Sequence, residues 1–287
     1  MITSERIQDA LAARHGVSVR HCRVEALGGG DTGATFQVTL NGRPAFLKWL
    51  PDGDALDAEA DGLAALAAAI RVPEVLDYGS LAGGRALLLE WLPPVAPGER
   101  FWPALGRALA ALHGVEGERF GHHRDNWIGA NPQRNTPDTD WPRFFVERRL
   151  APQLRWARDR GLDAGVARRV ERVMATAPAW LEGLTIRPTL VHGDLWQGNV
   201  GTLAGDHPVV FDPAVYYGHA EVDLAMLSLF GRVPDTFYRA YGKNPKAVDF
   251  QQRSRLYNLY HLLNHFNLFG GGYAGAVSDS ATALLRY

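Results

Sequence analysis

The order of apolar and polar positions divides the chain into a strand-rich first third and a helical remainder. Val19 to Val24 and Thr35 to Leu40 both have strand character, and Asn41-Gly42 is a strong two-residue hairpin turn that returns the chain through the apolar run Ala45 to Trp49. Asp57 to Leu66 is rich in Ala and Leu and reads as a helix, and Arg85 to Leu92 reads as a buried strand stopped by Pro93-Pro94 and the loop Pro97-Gly98. Helical periodicity then takes over at Phe101 to Leu112, Trp141 to Arg160, Ala164 to Trp180, Glu221 to Phe230, Phe250 to Phe269 and Val277 to Leu285. Between these helices, Thr189 to Val191 and Val209 to Phe211 are short extended segments. The pattern predicts an α+β protein of two lobes, a small mainly β lobe over residues 1–92 and a larger helical lobe over 93–287. No internal repeat or low-complexity tract interrupts it.

Composition narrows the partners. With 287 residues and 46% hydrophobic content, the chain can bury a large core. A single cysteine, Cys22, excludes an internal disulfide framework and suits a reducing compartment, so a cytoplasmic location is expected. Residues 1–15 carry charges throughout and read as a helix rather than a signal peptide. No run approaches 18 apolar residues, and a formal net charge of −1 gives no reason to expect nucleic acid or an anionic membrane as partner. Arg143, Arg148, Arg149, Arg155, Arg158 and Arg160 form a local basic cluster, read as a solvated helix face.

The chemistry concentrates in His192-Gly193-Asp194-Leu195-Trp196-Gln197-Gly198-Asn199 and in Phe211-Asp212-Pro213. Phosphoryl transfer requires an acceptor for the hydroxyl proton, hard oxygen ligands for Mg²⁺ and a cation on the nucleotide phosphates. Asp194 suits the first task, and Asn199 and Asp212 suit the second. Their spacing matches the catalytic loop and metal-binding Asp of kinases with the protein-kinase fold. Upstream, Gly28, Gly29 and Gly30 open a Gly-rich loop between the first two strands, where backbone N–H groups can approach phosphates closely. Lys48 follows in an otherwise apolar strand and is the candidate phosphate-binding cation. Glu59, near the start of the next helix, is its candidate orienting partner, with Asp57 and Asp61 as alternatives. In this architecture adenine hydrogen-bonds the hinge backbone, which places main-chain groups of Glu90 and Leu92 at the nucleotide.

Longer motifs carry a resemblance to the fructosamine kinase (ketosamine 3-kinase) family, within the larger group of aminoglycoside phosphotransferases and choline kinases. They are Arg124-Asp125-Asn126 with Ile128-Gly129, Asn135, Trp141 with Phe144 through Leu150, Asp212-Pro213-Ala214-Val215-Tyr216-Tyr217-Gly218-His219, Glu221, Asp223 through Met226, and His261-Leu262-Leu263-Asn264-His265. The chain departs from protein kinases in having His-Gly-Asp for His-Arg-Asp and Asp-Pro-Ala for Asp-Phe-Gly, with no Ala-Pro-Glu afterwards, which argues against a protein substrate. The resemblance implies ATP- and Mg²⁺-dependent phosphorylation of the 3-hydroxyl of a free or protein-bound ketosamine, and a role in deglycation. Some relatives carry a cysteine in the Gly-rich loop, whereas Cys22 lies upstream of it here.

Position relative to these motifs makes Asp125, Asn126, Trp196, Tyr216, Tyr217, His219, His261 and Asn264 the acceptor-site candidates, a set of polar groups around an aromatic floor that suits a polyhydroxylated substrate. Asp223 is expected to brace the catalytic loop rather than touch ligand. Three other readings remain open on sequence: a kinase of the aminoglycoside or choline type, a non-catalytic nucleotide-binding module, and a metallohydrolase built on His192, Asp194, His207 and Asp212.

Overall fold

The computed structural model describes residues 2–28 and 33–286. Its N-terminal part is a five-stranded antiparallel sheet in the order β1-β2-β3-β5-β4, formed by β1 (Cys22–Leu27), β2 (Ala34–Leu40), β3 (Arg43–Leu50), β4 (Val75–Leu81) and β5 (Gly84–Glu90). Alternation along β3 sorts its residues between two cores. Ala45 and Leu47 pack with Val38, Leu88 and the buried Ile7 and Leu11 of α1 (Ser4–Arg14) on one face. Phe46 and Leu50 join Leu56, Leu63 and Leu66 of α2 (Ala55–Leu66) on the other. Lys48 shares the parity of Phe46 and Leu50, so the strand register delivers it to the α2 side.

The strands differ from the sequence reading at one boundary and by one additional strand. Val19 to His21 is a turn of 3-10 helix, and the first strand starts only at Cys22. Strand β4 escaped the hydrophobic pattern because it is a bulged edge strand that turns Leu76 and Tyr78 to solvent.

Helices dominate after α3 (Phe101–Leu112), which follows the hinge. The hairpin β6 (Asn126–Ile128) and β7 (Asn131–Gln133) precedes α4 (Trp141–Phe144), which runs through a π-helical turn at Phe145–Leu150 into α5 (Ala151–Asp159) and is followed by α6 (Ala164–Leu181). Four short strands come next: β8 (Thr189–Val191), β9 (Val200–Leu203), β10 (His207–Val210) and β11 (Tyr216–Gly218). The chain ends in α7 (Glu221–Leu227), α8 (Asp235–Tyr241), α9 (Val248–Phe269) and α10 (Ala274–Leu284). Strand β8 pairs with β11 and β9 with β10, both antiparallel. This pairing sets the β8–β9 loop, which carries Asp194 and Asn199, beside the β10–β11 loop, which carries Asp212. The N–H of Phe211 donates to the Asn199 carbonyl at 3.0 Å and closes the junction.

The N-terminal sheet and the helical C-terminal part share a core. Leu63, Leu66, Leu87 and Leu89 belong to the same apolar cluster as Leu105 and Leu109 of α3, Leu190, Val215, Leu224 and Phe237. Helix α2 is therefore wedged between the sheet and the C-terminal part, and even a Cβ at Gly62 would press on Pro213 and Val215.

Candidate active site

Lys48 sits between two carboxylates. Its Nζ donates to Glu59 Oε1 at 2.7 Å and to Asp212 Oδ1 at 2.6 Å, so one ammonium links β3, α2 and the β10–β11 loop. Burial works against the ammonium, but the charges and hydrogen bonds of Glu59 and Asp212 outweigh it and hold the Lys48 pKa above its ordinary value. The alternatives to Glu59 are engaged elsewhere, Asp57 with Arg85 and Asp61 with His122 and His123. Helical phase explains this outcome, since residues two apart on a helix face different ways.

The catalytic-loop candidates are held from beneath. The Asp223 carboxylate is fully buried and accepts from the His192 N–H at 2.7 Å and the Gly193 N–H at 2.9 Å. Its third partner is His113, whose Nε2 lies 3.1 Å away while Nδ1 meets the Tyr241 hydroxyl at 2.8 Å. Burial disfavours the charge on Asp223, yet the His113 hydrogen bond and the neighbouring imidazoles prevail and keep its carboxyl below the ordinary range. Gly193 is required at its position, because φ is +83° and a Cβ would overlap the Ala214 carbonyl. His192 spans the two loops, donating from Nε2 to the Phe211 carbonyl at 2.8 Å and accepting the Asp194 N–H at Nδ1 at 3.3 Å. Buried and hydrogen-bonded in this way, it is neutral, with its pKa lowered by desolvation.

Asp194 is only partly exposed, and burial, with Asp212 and Asp223 nearby, pushes its carboxyl up to about 7 against the hydrogen bond from Asn199. Asn199 Nδ2 donates to the Asp194 carbonyl at 2.8 Å and approaches its carboxylate at 3.4 Å, which leaves the Asn199 amide oxygen free of that contact. Asp212 occupies a left-handed turn at φ +52° with its side chain 54% exposed. Glu59 and Asp212 thus meet at Lys48, and Asp212 and Asp223 lie near Asp194. The excess of negative oxygen, with the Asn199 amide beside it, fits a hard divalent cation such as Mg²⁺.

At the expected nucleotide end the residues divide. Gly28 is exposed with open space where a Cβ would be, and Gly29 and Gly30 lie outside the described residues. The Glu90 N–H donates to the Glu74 carbonyl at 2.9 Å, and its carboxylate binds Arg71 and the Glu74 N–H, so this residue braces the hinge. Leu92, half-buried, makes no main-chain hydrogen bond among the described residues.

The acceptor candidates divide: the polar atoms of Asn126 and Asn264 are engaged inside the core, Tyr216 and His261 are buried, and Asp125, Tyr217 and His219 keep exposed surface. Asn126 donates to the Val215 carbonyl and accepts from Gln133 and Asn135. Tyr216 is 1% exposed, with the Arg149 guanidinium 3.9 Å over its ring. Asn264 Oδ1 accepts from Asn131 and Gln153. Asp125 is exposed but caps the Asn135 N–H at 2.7 Å, and the Tyr217 ring lies against Gly117. His219 Nδ1 meets the Tyr257 hydroxyl at 2.7 Å, and burial pushes its pKa down to about 4. His261 is 2% exposed on the inner face of α9, with Nδ1 unpaired among the described residues and burial pushing it to about 3.

Trp196 is placed differently. It is 40% exposed two residues beyond Asp194, edge-on to Phe230 at 6.5 Å, and Phe230 in turn meets His265 at 4.8 Å and Tyr273 at 6.4 Å. The sequence reading missed this aromatic group, along with His113 behind Asp223. For Phe230 and Tyr273 no motif was available, since only the packing of α9 against the loop after α7 brings them together.

The chain belongs to the fructosamine kinase family, whose model matches residues 3–287. It is 49% identical over 233 residues to a probable ketoamine kinase of Synechocystis sp., covering 80% of this chain and 78% of that protein. It is also 40% identical over 237 residues to the chloroplastic protein-ribulosamine 3-kinase of Arabidopsis thaliana, covering 80% and 72%. A crystal structure of a candidate fructosamine-3-kinase from Thermobifida fusca superposes with a TM-score of 0.84 at 38% identity, over 92% of this chain and 93% of that one. The fold is shared with aminoglycoside phosphotransferases: a ternary complex of one of them with AMP-PNP and hygromycin B gives a TM-score of 0.72 at 18% identity, covering 98% of each chain.

Two outcomes test the loop geometry. Asp223→Ala leaves two buried N–H groups unpaired and should cost about 3 kcal/mol in urea unfolding, while a loss under half that would show that the carboxylate does not carry the loop. The raised Asp194 pKa means the folded state keeps a proton that the unfolded chain has lost, so wild-type stability falls as pH rises from about 4 to about 7. Asp194→Asn should therefore raise Tm by several degrees at pH 8 and by nothing near pH 4. An equal gain at both pH values would refute the burial cost assigned to Asp194.

Proposed function

We propose that this protein transfers the γ-phosphoryl group of ATP to the 3-hydroxyl of a ketosamine, with the sugar carried on a small amine or a protein amino group. The observation that carries this reading is the convergence of Lys48, Glu59, Asp194, Asn199 and Asp212, drawn from both lobes, in a chain of the fructosamine kinase family. The relatives' names supply the ketosamine and its position 3, and the AMP-PNP bound by an aminoglycoside phosphotransferase of the same fold supports ATP as donor.

In the mechanism, Lys48 neutralises phosphate oxygens of the nucleotide, and Glu59 keeps its ammonium aimed at them. Leu92, with no main-chain hydrogen bond among the described residues, offers its N–H to the adenine edge. Asn199 and Asp212 would hold Mg²⁺, which when bound offsets charge on the phosphate oxygens. Asp194 accepts a hydrogen bond from the 3-hydroxyl and orients its oxygen. As that oxygen bonds to the γ-phosphorus and the bond to the β,γ-bridging oxygen breaks, the hydroxyl proton passes to Asp194 and ADP leaves. His192 and Asp223 act through the loop backbone, holding Asp194 in place. Trp196 supplies an apolar wall beside the acceptor, which suits the C–H face of a sugar.

Coupled ADP release should be stimulated by fructosamines or ribulosamines and not by aminoglycosides or choline, with the product phosphorylated at O3 by NMR. Stimulation confined to aminoglycosides or choline would replace the ketosamine reading. Lys48→Met should reduce kcat/KM at least about a hundredfold with the fold intact by circular dichroism. A variant within tenfold of wild type would remove Lys48 from the phosphate site.

A further inference from the structure

A second group of chemistry-bearing side chains lies where α2 meets the C-terminal part, apart from the residues assigned to phosphoryl transfer. Asp61, on α2, turns one carboxylate oxygen to each of two successive histidines. Its Oδ2 lies 2.9 Å from His122 Nε2 and its Oδ1 3.1 Å from His123 Nε2. One ligand atom from each residue falls within 4.8 Å of the others, and the imidazole rings lie 4.2 Å apart between centroids. Donor atoms around a tetrahedral Zn²⁺ with bonds of 2.0–2.1 Å stand about 3.3 Å apart, so the cluster is close to ligand spacing.

We propose that Asp61, His122 and His123 form a binding site for a first-row divalent transition-metal ion of the Zn²⁺ type, joining the N-terminal lobe to the C-terminal lobe. The donor set selects the class: two imidazoles and one carboxylate suit Zn²⁺ and its neighbours, whereas Mg²⁺ and Ca²⁺ require a shell of oxygens. Binding uses each imidazole as the Nδ1–H tautomer, with Nε2 as donor. His122 is buried and His123 is exposed, so solvent can supply the fourth ligand on the His123 side.

The supports are rigid. The Gly121 N–H donates to the Tyr217 carbonyl at 2.9 Å and the Tyr217 N–H to the Gly121 carbonyl at 2.8 Å, while the His122 N–H donates to the Asn135 carbonyl at 2.9 Å. On the other side, Gly62 follows Asp61 directly and packs tightly on Pro213 and Val215. Arg124 Nη2 lies 3.3 Å from Asp54 Oδ2 and reinforces the same junction. Ligands held on such elements lose little freedom on binding. Asp61 is two residues from Glu59 on α2, so an ion here would fix the helix that aims Lys48, at a distance from the reacting groups.

The test uses untagged full-length protein stripped with EDTA. Co²⁺ should bind one equivalent with visible ligand-field absorption of tetrahedral strength, and Zn²⁺ at a hundredfold excess over its Kd should raise Tm by about 5 °C. Both signals should be lost in His123→Ala, an exposed position, and in Asp61→Asn. Absence of the Co²⁺ bands in wild type, or Zn²⁺ stabilisation that persists in His123→Ala, would overturn the proposal. Neither readout depends on turnover, so failure here leaves the kinase reading standing, and the reverse also holds.

Discussion

One ammonium between carboxylates from the N-terminal and C-terminal parts of the chain is the constraint on which the site rests. Lys48 reaches Glu59 and Asp212 only if three independent features of the fold agree. Strand β3 must keep the register that turns Lys48 toward α2, α2 must have the phase that points Glu59 back, and the β10–β11 loop must adopt the left-handed turn at Asp212. A shift of one residue in β3 would exchange Lys48 with Leu47, placing a charge among Ile7, Leu11 and Val38. Losing one partner of a buried ion pair costs about 3–5 kcal/mol, which is comparable with the margin by which many domains are folded. The shared apolar cluster around Leu63, Leu66, Leu87 and Leu105 provides the non-directional force that keeps the N-terminal sheet on the C-terminal part, and Lys48 fixes their alignment.

The catalytic loop meets a different constraint, because it must hold acidic groups close together without letting them separate. Asp223 achieves this by accepting two consecutive main-chain N–H groups, so the loop that carries Asp194 and Asn199 is pinned through its backbone. The cost appears at Asp194, whose carboxyl is pushed up to about 7 by burial and by Asp212 and Asp223. A site that destabilises its own negative charge in the free protein favours cations entering it, and the proposed ATP-bound metal would lower that charge at the time the hydroxyl proton must be taken.

The strand that carries Lys48 and the loop that carries Asp194 and Asn199 were legible in the sequence because local rules fix them. Asn41-Gly42 set the β2–β3 turn, which in turn set the direction of Lys48, and the spacing from Asp194 to Asn199 is that of one loop. The choice of Glu59 over Asp57 and Asp61 depended on tertiary partners, namely Arg85, His122 and His123, that no local pattern reveals. The acceptor residues were less legible for a further reason. Asn126, Gln133 and Asn135 form a buried amide cluster beside Arg149 and Asn131 and Asn264 belong to a second, and a polar residue used to satisfy a core looks the same in sequence as one offered to a ligand. The π-helical turn at Phe145–Leu150 has no sequence signature either, yet it carries Arg149 over Tyr216, in the strand that packs beneath Gly193.

Burial also bears on which acceptor class the cleft prefers. An amine-rich acceptor is favoured by carboxylates that remain available after the nucleotide's needs are met. Around Asp194 the neighbouring carboxylates are engaged: Glu59 and Asp212 with Lys48, and Asp223 with the loop backbone. What faces outward beside Asp194 is aromatic, running from Trp196 through Phe230 and His265 to Phe269 and Tyr273. Such a surface gains from the apolar face of a sugar and from an attached hydrocarbon chain, and it offers a polycation little beyond cation–π contact. The balance of available charge thus supports the ketosamine reading independently of the relatives' names, because it follows from which carboxylates the fold has already consumed.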